Sequence, residues 1–427
     1  MNSPEQHRCA EDADSLLERL VRYSSALALP RQVERFELYH RASTAIRVVR
    51  RGSSDRDEVR VGCEDGVAAR LQVRGEPLVR FAAASGGGET SVRESIELAT
   101  EGPGSAPAVA EEWIEPGERR IDRDPDARLP SPASLASWLE CALAALGPDS
   151  GGVAYDAAWV EVASTVESWV LDGKPCSSRV RTRGWALLRL KSQPAALRSP
   201  RPLVLAARSW RNLSREGWSE LQEARQLPQG ASLGGPERRL PVLFSPETSA
   251  VLVQALVRAI HGYPRSSPFE VGPGWRVHDA PDDTEALFGG DFDDIGADAR
   301  CLTLADGSTA IGRIHGAGHL RRPSFRDRPR SSPSHLRVEP LETVRAGDAL
   351  RVSRLSLHPL PSGRWILDID GALLSGGAPG PVAAGGMVST TPEELVQKCV
   401  AGCGAAVLSH RGVRTPALLF DGLRVKC

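Results

Sequence analysis

Residues 245–262 form the clearest helix in the sequence, and a helix of this kind dictates what must surround it. Ser245 can accept a hydrogen bond from a first-turn N–H, Pro246 stands where a missing N–H costs nothing, and Glu247 complements the positive end of the helix dipole. Gly262 supplies a stop. From Ala250 to Ile260 nearly every face is apolar, which predicts a helix buried on most sides. One stripe departs from this: Gln254, Arg258 and His261 recur at i, i+4 and i+7, and that stripe must face a partner or a cavity.

A buried helix needs walls, and the following residues offer them. Residues 275–278, 301–304, 310–314, 336–339, 350–355 and 365–369 are short β segments separated by Gly, Pro and Asp, a spacing that favours an antiparallel barrel or sandwich. A strand at 240–244 feeds the helix, Thr391 caps a last helix at 392–398, and a final strand runs over 417–425.

Upstream the pattern alternates between helix and strand. Leu16, Leu17, Leu20, Val21 and Ala26 make a helical stripe over 13–27 that Pro30 closes. Residues 36–41 and 45–50 read as paired strands, followed by a polar turn at 52–57, strands at 66–73 and 77–84, and a helix from the glycines at 86–88 to Leu98, with Thr90 or Ser91 as its cap. Residues 100–132 read as a linker or irregular loop. A helix at 138–146 and strands at 157–170 and 183–190 follow, with Trp159, Val160, Val162, Val166 and Trp169 as core candidates. The fold class expected is α+β. Its three segments are an N-terminal α+β domain with a mixed sheet (1–125), a central α+β segment (126–235), and a β-rich C-terminal domain carrying the buried helix (236–427).

With 427 residues, 41% hydrophobic and 25% charged, the chain can fill two or three cores. A net charge of -1 gives no general pull toward nucleic acid or anionic membrane. Apolar runs fall short of the roughly 18–20 residues that span a bilayer, and the N-terminus is polar, so a cytoplasmic protein is expected. The basic run 321–334 reads as a loop rather than a nucleic-acid site, because only Phe325 interleaves its charges. The eight cysteines contain no CxxC unit; Cys399 and Cys403, four apart at what reads as a helix end, are best taken as small buried thiols. Asp291, Asp293, Asp294 and Gly296 suit a tight turn whose carboxylates accept backbone N–H bonds, since a hard cation needs six or more oxygens. His315 and His319 form an HxxxH pair, with His261 and His278 in the same domain, but the glycines at 316 and 318 oppose the helix that would align it as a metal site.

Pro-Glu before the buried helix, Gly-Gly-Asp-Phe-Asp-Asp-Ile-Gly at 289–296 and Thr-Pro-Ala-Leu-Leu-Phe-Asp-Gly-Leu-Arg-Val at 415–425 together resemble the TldD/PmbA family, whose members include TldD, TldE and the "modulator of DNA gyrase" proteins. The resemblance covers roughly residues 33–425. In TldD-type members this helix carries His-Glu-x-x-x-His, with two zinc-binding histidines and a glutamate that activates water. The corresponding residues here are Gln254, Ala255, Leu256, Val257, Arg258 and Ala259, so neither imidazole nor the general base is kept. The family's third ligand, a cysteine, falls in a segment that aligns with Leu408-Ser-His-Arg, where Ser409 and His410 stand and Cys403 lies earlier. Gly318-His-Leu-Arg-Arg resembles the family's peptide-cleft loop, which makes Gly318, His319, Arg321 and Arg322 candidates for peptide contact.

What the resemblance implies is a metal-free, non-catalytic subunit of the TldE type, without a cofactor of its own, paired with a TldD-like zinc metalloprotease subunit that acts on unfolded peptides. Two other readings stay open: an active peptidase or peptide-modifying enzyme with a displaced metal site, and a stand-alone peptide-binding homodimer.

Overall fold

A computed structural model describes residues 13–52, 56–104, 106–107, 113, 120–123, 128–146, 155–190, 203–213, 218, 235–261, 275–307, 309–310, 314, 318–322, 324–340, 342–344, 347–375 and 378–426. The first sheet contains β1 (Val33–Arg51), β2 (Asp57–Val73), β3 (Leu78–Ser85), β4 (Ala106–Pro107), β5 (Arg120–Arg123), β6 (Tyr155–Leu171), β7 (Lys174–Leu190) and β8 (Leu203–Ala207). Their order is β4-β3-β2-β1-β6-β7-β5, and β8 also pairs with β7. The sheet is mixed: β5 runs parallel to β7, while β1, β2, β3, β6 and β8 pair antiparallel with their neighbours.

Both faces of this sheet are covered over much of its area, while the first half of β2 stays exposed. On one face Phe36 and Leu38 of β1 pack with Leu17 and Leu20 of helix α1 (Ala13–Ser25) and Val92 of α2 (Glu89–Glu101). Further along, Val48, Val160 and Val162 pack with Leu135 and Trp138 of α3 (Pro132–Ala144). Strand side chains alternate between faces, so Tyr39 and Trp169 point the other way, onto Phe292 and Phe325 of the second domain.

The second domain contains β9 (Arg238–Phe244), helix α4 (Pro246–His261), β10 (Trp275–Asp279), β11 (Leu302–Asp306), β12 (Thr309–Ala310), β13 (Leu320–Arg321), β14 (Arg330–Ser331) and β15 (Leu336–Pro340). It continues with β16 (Ala349–Pro359), β17 (Trp365–Ser375), β18 (Ala378–Thr390), helix α5 (Pro392–Lys398), β19 (Cys399–Leu408) and β20 (Val413–Lys426). The path β20-β18-β17-β16-β9 returns to β20, closing a five-stranded barrel. Of the barrel and the sandwich, the chain forms the barrel, and β15, β10, β11 and β12 continue from β20 as an open branch of the same sheet. Helix α4 packs on it: Leu252, Val253 and Leu256 are fully buried in one cluster with Phe244, Leu355 and Phe420. Each such side chain contributes about 1.5–3 kcal/mol. Its first turn is pinned by Ser249, whose Oγ donates to Phe244 O at 3.0 Å and accepts from Leu418 N at 3.1 Å. Gly262 lies outside the described residues.

Several local expectations change. The strands expected at 36–41 and 45–50 are one strand, because no Gly or Pro interrupts 33–51 and the alternation stays in phase from Phe36 to Val48. The expected linker at 100–132 contributes β5, and Trp113 within it is buried beneath Arg70, whose Cζ lies 4.6 Å from the ring centroid. Cys399 caps the end of α5 as expected and opens β19, on which Cys403 also lies; the two stand opposite Phe420 and Ala417 of β20, and both are buried. Burial alone raises the Cys399 thiol far above its ordinary pKa.

Candidate functional site

Gln254, Ala255 and Ala259 of α4 are half-buried and Arg258 is exposed, so the polar stripe runs along the helix edge and not through the core. The side chain of His261 lies outside the described residues. Gln254 Oε1 accepts a hydrogen bond from Arg411 Nη1 at 3.3 Å. Arg411 belongs to the turn between β19 and β20, which is closed by Ser409 N→Val413 O at 2.9 Å and Gly412 N→Ser409 O at 3.0 Å, with Ser409 Oγ accepting from Arg411 N at 3.2 Å. Gly412 has φ 72° there, and a Cβ would stand 2.8 Å from the Phe288 ring, so glycine permits both the turn and its close seating.

That turn forms one side of a cavity of about 490 Å³ between the two domains. The strand register explains its opposite wall. Trp159 lies opposite Leu187, Leu187 opposite Val204, and Trp185 opposite Ala206, so these side chains share one face of the first sheet. Glu247 and Val251 of α4, Leu287 and Phe288, and His410 and Arg411 complete the lining. Arg183 enters from β7 with its Cζ 4.6 Å from the Phe288 ring centroid. Burial and then the nearby Arg181 push its pKa well below the ordinary value.

Deeper between the domains, alternate residues of β7 build a charged seam. Arg179 is fully buried; its Nε donates to Glu167, its Nη2 to Asp294 and its Nη1 to Phe292 O at 3.0 Å. Arg181 donates from Nη2 to Glu167 at 2.7 Å and from Nη1 to Gly289 O at 3.1 Å. Trp169 Nε1 donates to Asp294 O at 2.7 Å. Burial opposes ionisation of Asp294, but Arg179, with Arg321 and Arg181, together outweigh it and hold the carboxyl below its usual pKa.

The loop expected to face peptide lies in this seam. Arg322 donates to Glu37 and to Asp294 O and stacks on Tyr39 at 4.6 Å, and Arg321 Nη2 donates to Ser334 Oγ at 2.6 Å. Both side chains are buried, and each is hydrogen-bonded within the molecule through part of its guanidinium. His319 is also buried, with Nδ1 3.2 Å from Asp279 Oδ2, and Gly318 adopts φ 91° while its N donates to Asp293 Oδ2 at 2.7 Å. Asp293 Oδ1 accepts from Ile295 N at 3.0 Å and Ala297 N at 2.9 Å, so the acidic run is the expected carboxylate-bonded turn. His315 lies outside the described residues. Among the described residues, no three His, Cys, Asp or Glu side chains converge as a metal-ligand group.

No family model and no curated protein matches the chain by sequence. Solved structures do match it over nearly its whole length. TldE from Thermococcus kodakarensis superposes with a TM-score of 0.78 at 16% identity, covering 96% of this chain and 100% of that one. The fold is that of TldE. Two candidate modulators of DNA gyrase share it: one from Thermotoga maritima, with a TM-score of 0.73 at 13% identity, covering 97% of this chain and 100% of that one, and one from Bacteroides thetaiotaomicron, with a TM-score of 0.73 at 14% identity, covering 100% of both chains. On this TldE fold α4 faces the 409–412 turn, which brings together two segments far apart in sequence. Sequence reasoning missed Arg179, Arg181 and Arg183, and the signal was present: Arg-Val-Arg-Thr-Arg places three cations on one face of a strand. No described helix is long and apolar enough to cross a membrane.

Proposed function

We propose that the chain is a TldD/PmbA-family protein of the TldE type: a metal-free, non-catalytic subunit that forms part of a peptide-handling chamber with a TldD-like zinc metalloprotease subunit, in the cytoplasm. The observation that carries this reading is the contact between Gln254 and Arg411. By the family resemblance Gln254 stands at a zinc-ligand position of the helix, and the turn it meets holds Ser409 and His410, in the segment that resembles the one carrying the family's third ligand. An amide bonded to a guanidinium places positive charge beside that turn, where a cation would need donors of the opposite character. Ala255, with no carboxylate, offers no general base. The TldE fold supports the same reading.

The test is to express the chain with a homologue bearing His-Glu-x-x-x-His, purify each alone and both together, measure zinc, and assay cleavage of an unfolded peptide. Co-purification, zinc only in the partner and cleavage only by the pair are expected. Robust cleavage by this chain alone, or about one zinc per chain in the isolated protein, would overturn the proposal.

A further inference from the structure

The cavity between the domains carries a charge pattern that goes beyond the role of a silent subunit. Along β7, Arg179 lies opposite Glu167, but Arg183 lies opposite Ala163. Among the described residues Arg183 has no carboxylate partner, and its stacking on Phe288 leaves the guanidinium edge available to an anion. Among the described residues, charges from the other lining elements are Glu247 on α4 and His410 and Arg411 on the turn, so two arginines stand against one carboxylate there. The remaining wall is apolar and aromatic, with Trp159 and Trp185 on one side and Val251 and Leu287 across from them. A volume of about 490 Å³ lies within the range of small-ligand sites, which combine an apolar lining with a few placed polar groups.

We propose that this cavity binds a molecule that joins an aromatic or branched apolar group to a carboxylate, with the carboxylate on Arg183 and the apolar group between Trp159 and Trp185. Such chemistry has two sources, a small free acid and the C-terminal residue of a peptide. The site does not depend on assembly with a zinc subunit.

Calorimetric titration of the isolated full-length chain tests this, so a negative result leaves the subunit reading intact. The probes are N-acetyl-L-phenylalanine and its carboxamide, which differ only in the charge. Saturable binding of the acid at least tenfold tighter than the carboxamide is expected. Arg183→Met, which keeps the stem on Phe288, should abolish that preference, Arg183→Lys should keep part of it, and Ala206→Phe should block both ligands by filling the cavity. No saturable binding of either probe, equal binding of both, or a preference that survives Arg183→Met in folded protein would overturn the proposal. Comparing 3-phenylpropionate with Gly-Gly-Gly-Phe separates the sources: tighter binding of the peptide assigns the site to peptide C-termini, and the reverse to free acids.

Discussion

Replacing Arg179 by methionine removes the centre of the charged seam while keeping most of the aliphatic stem. The lost bonds run to Glu167, Asp294 and Phe292 O, along with stacking on Trp169 at 4.9 Å. Breaking one partner out of a buried ion pair costs about 3–5 kcal/mol, mainly because the opposite charge stays buried. Both carboxylates keep other donors: Glu167 retains Arg181 and Tyr39, and Asp294 retains the backbone N–H of Arg322. The expected loss is therefore at the low end, about 3 kcal/mol, read by urea denaturation near neutral pH. The pH profile gives a second readout. Burial alone would raise the pKa of Glu167, but Arg179, Arg181 and Arg41 outweigh it and hold the carboxyl well below its usual value. With a folded-state pKa below the unfolded value of about 4.3, this stabilisation is complete above that value and is lost as pH falls through the folded one. Wild type should thus keep the contribution at pH 5 and lose it in stronger acid, and Arg179→Met should weaken that dependence. A loss under about 1 kcal/mol with an unchanged acid profile would show that the seam is not what holds the domains together.

Gly66→Ala places a methyl group 2.2 Å from the Phe325 ring and should cost about 1–3 kcal/mol in chemical denaturation, partly recovered by adding Phe325→Leu. Arg258→Leu should change the melting free energy by less than about 0.5 kcal/mol, because that side chain is exposed. Brief iodoacetamide treatment followed by peptide mass analysis should label exposed Cys63 well before Cys399, whose thiol is buried and raised in pKa, and early labelling of Cys399 would contradict its burial.

Most of the architecture could be read from periodicity. Helix α4, the short strands after it and the Thr391 cap follow from local pattern, and Thr391 Oγ does accept from Glu394 N at 3.1 Å. Besides the short strands within 100–132, two longer strands escaped for opposite reasons. Ala378–Thr390 is rich in Gly, Pro and Ala, and it is held as β18 by pairing with β17 and β20 instead of by its own propensity. Cys399–Leu408 follows α5 without a break and so reads as its continuation until β20 is in place beside it. The site was less legible. The altered zinc helix could be named residue by residue, but the cavity depends on strand register, and the burial of Arg321 and Arg322 depends on Glu37 and Asp294, distant in sequence. A basic loop and a buried ionic seam have the same composition, and only long-range contacts separate them.

The closure of the barrel has a kinetic consequence. The pairing of β9 with β20 joins Leu240 to Leu423, a loop of about 180 residues. Local hairpins such as β16–β17 need only a short turn, so the seam between β9 and β20 is a natural last step, reached after the other barrel strands have already associated. Contacts that form after the rate-limiting barrier govern how fast a protein comes apart more than how fast it folds. Substitutions on the two sides of this seam should therefore alter the lifetime of the folded protein, leaving its folding rate nearly constant.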